Sequence, residues 1–363
     1  EALARFTALP GALAEVWRAR RAVLFFLRSG DQSVAASLRR QFGRTGADDR
    51  ACAVPLDLFG DAEPATRTPP VSIVVPVFNA VQDTKRLLEV LPQTLDPDTR
   101  VLLIDDGSDD PGIGSLLDRF THAHPPAEVI RHAENLGFVA AVNSGIAAAE
   151  PGDHVILLNT DTLPPRGWVQ RLVAPIATDA NVASVTPLSN NAEILSVPFP
   201  GLETDPNAGM VAAIDAVARQ FGSRDVTLPT GIGFCMALNR AFLDRIGGFD
   251  PAFGRGYGEE VDWCRRAIAA GGRHVAMTRL FVGHRGGASF GASEKAARIK
   301  ASSRIISQRY PSYDTEVQRW IGEAPIAAER LALALAWLGA AASPPVPVFL
   351  GHSLGGGAET ALQ

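Results

Sequence analysis

The feature that most narrows the possible folds is a series of short, unbroken apolar runs rich in Val and Ile. They are VSIVVPVF (71–78), RVLLIDD (100–106), AEVIRH (127–132) and DHVILLN (153–159), each bounded by turn residues. Between them lie helical patterns such as 83–91 and 138–149, and strands alternating with helices specify βαβ units with a mostly parallel sheet. Because the runs do not alternate polar with apolar, both faces of that sheet must be covered. Ligands are then left to the crevice at the carboxyl ends of the strands. Three loops at that edge carry polar or acidic residues directly behind an apolar run: Phe78-Asn79, Asp105-Asp106-Gly107-Ser108 and Asn159-Thr160-Asp161-Thr162. Asp and Asn also cap helices and form turns, so one such loop would mean little. Three on one edge point to a site.

A chain of 363 residues, 46% hydrophobic, can bury a large core and suggests two domains or one with appendages. A net charge of −5 argues against a general nucleic-acid binder. Cys52, Cys235 and Cys264 lie far apart, so neither a zinc site nor a disulfide framework is expected, which fits a reducing cytoplasm.

Asp161 closes an otherwise apolar strand. It reads either as a carboxylate ligand for Mg²⁺ or Mn²⁺ on a diphosphate or as the cap of a helix announced by Pro164-Pro165. Residues 259–270 read as a helix whose first turn holds Glu259, Glu260 and Asp262. The helix dipole favours acids there, yet three in four positions exceed what capping requires, and one of them is a candidate general base for a hydroxyl nucleophile. His284, behind another apolar strand, is open to a structural or a metal-binding role.

Taken in order, the segments VSIVVPVFN, LLIDDGSDD, NLGFVAAVNSGIAAA, LLNTDTLPPRGWV, TGIGFCMALNRAFLDRIGGFDPAFGRGYGEEVDWCRRA and GHRGGAS resemble the family-2 glycosyltransferases of the GT-A fold, particularly the rhamnosyl- and galactofuranosyl-transferase-like branch, over residues 70–291. The resemblance implies that Pro76, Phe78, Asn79, Asp105 and Asp106 hold the base and ribose of a nucleotide sugar, and that Asn135, Gly137, Phe138 and Asn143 close over it. The family's Asp-x-Asp motif reads Asn159-Thr160-Asp161 here, which makes Asp161 the main ligand of a divalent Mn²⁺ or Mg²⁺, with His284 completing the shell. The usual Glu-Asp pair of the catalytic helix reads Glu259-Glu260; Glu260 aligns with the base, and the longer side chain keeps Glu259 in contention. Thr230 and Gly231 would line the pocket, as would Trp263 unless it is core.

The implied reaction is an inverting transfer from a nucleoside-diphosphate sugar, dTDP- or UDP-linked, to a hydroxyl of a growing or lipid-linked glycan, as in bacterial O-antigen or capsule synthesis. A lipid-linked acceptor would bring a cytoplasmic enzyme to the inner face of the membrane as a peripheral protein. Two alternatives compete. A nucleotidyltransferase would open with a glycine-rich basic phosphate loop, and none follows the first strand. An inactive glycan-binding module would have no need to keep Asp161, Glu260 and His284 together.

The flanks suggest helices over 1–59, a Pro-rich linker over 60–70 and helices over 292–343, whose apolar run from 331 to 342 is shorter than the roughly 20 residues that span a bilayer. Those last helices suit bracing of the sheet better than lying in a membrane interface. The tail VFLGHSLGGGAET contains a G-x-S-x-G pattern, but the ten residues after Ser353 hold no His, so as the chain stands it cannot be a working hydrolase triad. It resembles instead the first glycine loop of a GT-B glycosyltransferase, and 344–363 reads as the start of a second such domain in a longer chain.

Overall fold

A computed structural model describes residues 69–197, 205–220, 225–286 and 292–341. The N-terminal helices expected over 1–59, most of the linker, the end of GHRGGAS and the glycine-rich tail lie outside the described residues. Contacts divide the chain into Glu1–Pro55 and Leu56–Gln363, and every described residue belongs to the second unit.

The four apolar runs form β1 (Val71–Val77), β2 (Arg100–Asp105), β3 (Ala127–Arg131) and β4 (His154–Leu158), alternating with α1 (Val81–Thr94), α2 (Pro111–Ala123) and α3 (Phe138–Ala148). There follow β5 (Thr162–Leu163), α4 (Trp168–Thr178), β6 (Val182–Leu188), α5 (Ala208–Gln220), β7 (Asp225–Leu228) and β8 (Cys235–Leu238). The described chain ends with α6 (Arg240–Ile246), α7 (Glu259–Ala269), β9 (Arg273–Phe281), β10 (Gly283–His284), α8 (Ala292–Arg309), α9 (Tyr313–Glu323) and α10 (Ala327–Ala341).

Among the described residues the main sheet has the order β3-β2-β1-β4-β8-β6-β9-β7. Strands β1 to β4 pair in parallel, with Val75 opposite Leu103 and Ile73 opposite Ile156. β8 runs antiparallel to β4 and β6, and β7 antiparallel to β9, so the sheet is mostly but not wholly parallel. Successive residues of one strand serve opposite faces: Ile73 and Val75 join one core cluster, while Val74 joins the other with Leu102 and Leu157.

The chain runs outward from β1 through β2 to β3, then returns to place β4 on the other side of β1. That reversal is a topological switch point, and the crevice between diverging loops opens there. A short antiparallel pair, β5 with β10, sets His284 opposite Thr162 at the same edge. The helices after β10 pack on this framework. Ile306 of α8 enters the core, Trp320 of α9 donates its indole N–H to the Thr227 carbonyl at 2.8 Å, and Trp337 of α10 meets Phe281 edge-on. Among the described residues no helix is long and apolar enough to cross a membrane.

Candidate active site

The loops after β1 and β2 are tied to each other by short polar contacts. Asn79 sits in the left-handed region at φ 52°, and its carboxamide oxygen accepts the N–H groups of Asp109 and Asp110. Its own N–H donates to Ser108 Oγ, while Asp105 accepts the Ser108 N–H. Asp106 is buried and accepts the N–H groups of Leu136 and Gly137 at 3.0 and 2.8 Å. Gly137 is required on two grounds: its φ is 96°, and an added Cβ would fall 2.8 Å from the Arg255 Cα.

Asp161 and His284 meet because β5 and β10 pair, with His284 Nε2 lying 3.3 Å from Asp161 Oδ1. His284 is held at both its ring and its backbone. Its Nδ1 is 2.5 Å from the Asn191 carbonyl, its ring stacks on Phe234, and the Asn190 carboxamide both accepts the His284 N–H and donates to its carbonyl. With Nδ1 donating to that carbonyl, Nε2 is the ring nitrogen turned toward Asp161: the protonated ring donates from it to the carboxylate, and the neutral ring offers a lone pair there. That is the arrangement in which a metal-ligating histidine is held by an outer hydrogen bond. Gly286 donates its N–H to Asp161 Oδ2 at 3.0 Å. Burial alone would raise the Asp161 carboxyl; the hydrogen bond and charge of His284, with the Gly286 N–H, outweigh it and hold the group below the usual carboxylate range. Among the described residues no cluster of three or more His, Cys, Asp or Glu side chains could hold a metal by itself. A carboxylate oxygen and an imidazole nitrogen nevertheless suit a hard divalent cation that takes its remaining ligands from phosphates and water.

The three acids at the start of α7 divide by role. Asp262 is fully buried and takes hydrogen bonds from Arg266, Arg309 and Tyr310, fastening α7 to the end of α8. Glu259 and Glu260 instead line a cavity of about 330 Å³, and one Oε2 of each is enclosed without a hydrogen-bond partner. Burial, then the charge of Glu260, pushes Glu259 well above the ordinary carboxylate value. Burial, then the charge of Glu193, pushes Glu260 up to about 7. A carboxylate held near neutrality beside a cleft has the properties of a general base.

One cavity collects Pro76, Phe78, Asp106, Asn135, Gly137, Phe138, Asn159, Thr160, Asp161, Glu259, Glu260 and His284. Asn79, Asp105, Asn143, Thr230 and Gly231 stand outside its lining. Asn143 clamps the Phe249 backbone by two hydrogen bonds; Thr230 is buried, and the Gly231 N–H donates to Cys264 Sγ. Trp263 is fully buried, with its indole N–H on the Gly247 carbonyl, and belongs to the core. Sequence reasoning missed Glu193, Arg255, Tyr257 and Phe234, which also line the cavity. It missed Asn190 and Asn191 as well, although β6 is followed directly by Ser189-Asn190-Asn191, the same signature of an apolar run closed by amides.

The α/β sheet with its switch-point cleft has a GT-A-like fold, with an Asp–His pair at the edge of the cleft and a base-like glutamate across it. Residues 72–247, just under half of the chain, match the family described as Glycosyl transferase family 2. The pre-mycofactocin glycosyltransferase of Mycobacterium tuberculosis is 31% identical over 244 residues, which cover 64% of this chain and 47% of that protein. The match thus spans about half of the curated relative's length. Among solved structures, GalNAc-T7 with UDP, GalNAc and Mn²⁺ superposes with a TM-score of 0.53 at 16% identity, over 74% of this chain and 54% of that one. A mannosyltransferase from Pyrobaculum calidifontis in complex with GDP-Man and Mn²⁺ gives 0.51 at 20% identity, over 92% and 87%. At these identities the likeness is one of fold.

Proposed function

We propose that the domain transfers a sugar, with inversion, from a dTDP- or UDP-linked donor to a hydroxyl of a growing glycan. The observation that carries this reading is one cavity that holds the Asp161–His284 pair at one edge and, at another, the carboxylates of Glu259 and Glu260, each with one enclosed oxygen that has no hydrogen-bond partner. Glu260 removes the proton of the acceptor hydroxyl as that oxygen attacks the anomeric carbon, so that the nucleoside diphosphate leaves from the opposite face in one displacement. Enclosure makes the base stronger than an exposed glutamate, and the proton it takes relieves the repulsion within the glutamate cluster. Mn²⁺ or Mg²⁺, held by Asp161 and His284 beside Asn159 and Thr160, would neutralise charge on the departing diphosphate. Phe78 and Phe138 offer apolar surface for the base of the donor.

The motif resemblance supports the finer assignments: a rhamnosyl- or galactofuranosyl-type donor, a surface polysaccharide such as O-antigen or capsule as the destination, a cytoplasmic or peripheral inner-membrane setting, and a GT-B-like domain beginning near residue 344. The test is a screen of dTDP-, UDP- and GDP-sugars for nucleoside diphosphate release and transfer, with and without Mn²⁺, using wild type and Asp161→Ala. Metal-stimulated release that the variant loses supports the reading. Equal background release by both proteins with every donor, and no transfer, overturns it.

A further inference from the structure

Behind the nucleotide side of the cleft, Asp106, His132 and Ser144 form a chain of hydrogen bonds that the reaction above does not use. His132 Nδ1 lies 2.7 Å from Asp106 Oδ1, and Nε2 lies 2.9 Å from Ser144 Oγ on α3. We propose that His132 is a positioning residue: it holds the Asp106 carboxylate in the orientation that shapes the 135–137 wall of the cleft, and so sets affinity for the nucleoside diphosphate of the donor without joining the transfer. This rests on the reading that the cleft binds such a donor.

The network assigns the proton of the neutral imidazole to Nδ1, where it is donated to the carboxylate, and leaves Nε2 to accept the serine hydroxyl. Both ring nitrogens are then used, and the ring cannot turn without breaking one bond. With His132 on Oδ1, the two carboxylate oxygens also take the Leu136 and Gly137 N–H groups. Those donors stand at the start of α3, where free N–H groups ordinarily receive a bound phosphate. Here the protein's own carboxylate takes them, so their effect on the donor is exerted through the shape of the loop. The loop in turn rests on its neighbour, because Gly137 packs against the Arg255 backbone, and Arg255 and Tyr257 both line the cavity. Displacing the Asp106 carboxylate therefore disturbs two walls together. The order Asp, His, Ser looks like a hydrolase triad, but Ser144 does not reach the cavity lining, so the chain of bonds serves as a brace.

The experiment compares His132→Leu, which removes both bonds, with His132→Asn, whose amide keeps an N–H donor near the Nδ1 position. Donor and acceptor KM, kcat, UDP and dTDP binding by calorimetry, and amide hydrogen exchange over 132–138 are measured for each. The expected result for His132→Leu is a rise of about tenfold in donor KM and nucleotide Kd, the loss of one charge-assisted hydrogen bond. Its kcat and acceptor KM stay within about twofold, and the amides of Leu136 and Gly137 exchange faster. His132→Asn recovers most of the donor KM. The proposal is overturned by unchanged exchange at 136–137 in His132→Leu, by equal losses in donor KM, acceptor KM and kcat, or by an Asn variant as impaired as the Leu variant. Faster exchange in His132→Leu, combined with a wild-type protein that binds no nucleoside diphosphate, overturns the nucleotide reading while leaving the brace standing.

Discussion

The two sides of the cleft treat their polar groups in opposite ways. On the side built by β1, β2 and α3, Asn79, Asp105 and Asp106 are engaged by backbone N–H groups, which fix the shape of the loops. On the side built by α7, Glu259 and Glu260 each keep an enclosed oxygen with no partner. Burying a carboxylate with one oxygen unsatisfied is costly, and the cost appears as a raised affinity for a proton. The difference teaches where chemistry and where stability should respond to substitution: unsatisfied groups carry reactivity, and satisfied ones carry geometry.

The largest effect that could break this comparison belongs to Glu260→Gln. Loss of a general base costs on the order of 10²–10⁴-fold in kcat, and donor KM should change little. The same substitution should raise thermal stability above neutral pH. The folded-state value of Glu260 stands at about 7, above the ordinary 4.5, so its contribution to stability is fully present below about 4.5 and is lost as pH rises through about 7. Gln removes that loss. The melting-temperature difference between variant and wild type should therefore grow from pH 6 to pH 8, and a variant that melts lower than wild type at pH 8 would contradict the account. Activity runs the other way, because the base must be ionised. Wild-type kcat/KM should fall about tenfold per unit below pH 7, and a flat profile from pH 5 to pH 8 would remove Glu260 from the role.

Asp262, two residues along the same helix, should behave in the opposite sense. Asp262→Asn leaves Arg266, Arg309 and Tyr310 without their shared acceptor charge and should cost about 3 kcal/mol in denaturant unfolding. Residual folded enzyme should retain its pH profile. A normal unfolding midpoint with a shifted pH profile would place Asp262 with its two neighbours after all.

That contrast also marks how far the sequence could be read. The strands were legible because unbroken Val- and Ile-rich runs ending in Asp or Asn have few other uses, and the resulting order put the 78–79, 105–108 and 159–162 loops on one edge. The meeting of Asp161 with His284 follows from pairing between two-residue strands far apart in the chain, which no local pattern announces. Composition cannot divide Glu259 and Glu260 from Asp262 either, because the division depends on Arg309 and Tyr310 arriving from α8. The sequence favours bracing of the sheet by 292–343 without showing where the helices dock; Ile306, Trp320 and Trp337 pack the described part of that stretch on it.

The smallest expected effect concerns Trp263, one residue beyond Asp262, which the sequence left open as core or pocket. Its ring is fully enclosed in the core cluster beneath the cleft, and its N–H is used by the Gly247 carbonyl at 3.0 Å. Trp263→Phe keeps most of the packing, deletes the indole N–H and leaves that carbonyl without its donor, a loss of about 1 kcal/mol in unfolding free energy. Because Trp263 does not touch the cavity, donor and acceptor KM should both stay within about twofold of wild type. A change in acceptor KM at unchanged stability would mean that the boundary between shape and chemistry runs through α7 at a different residue, with the indole on the acceptor side.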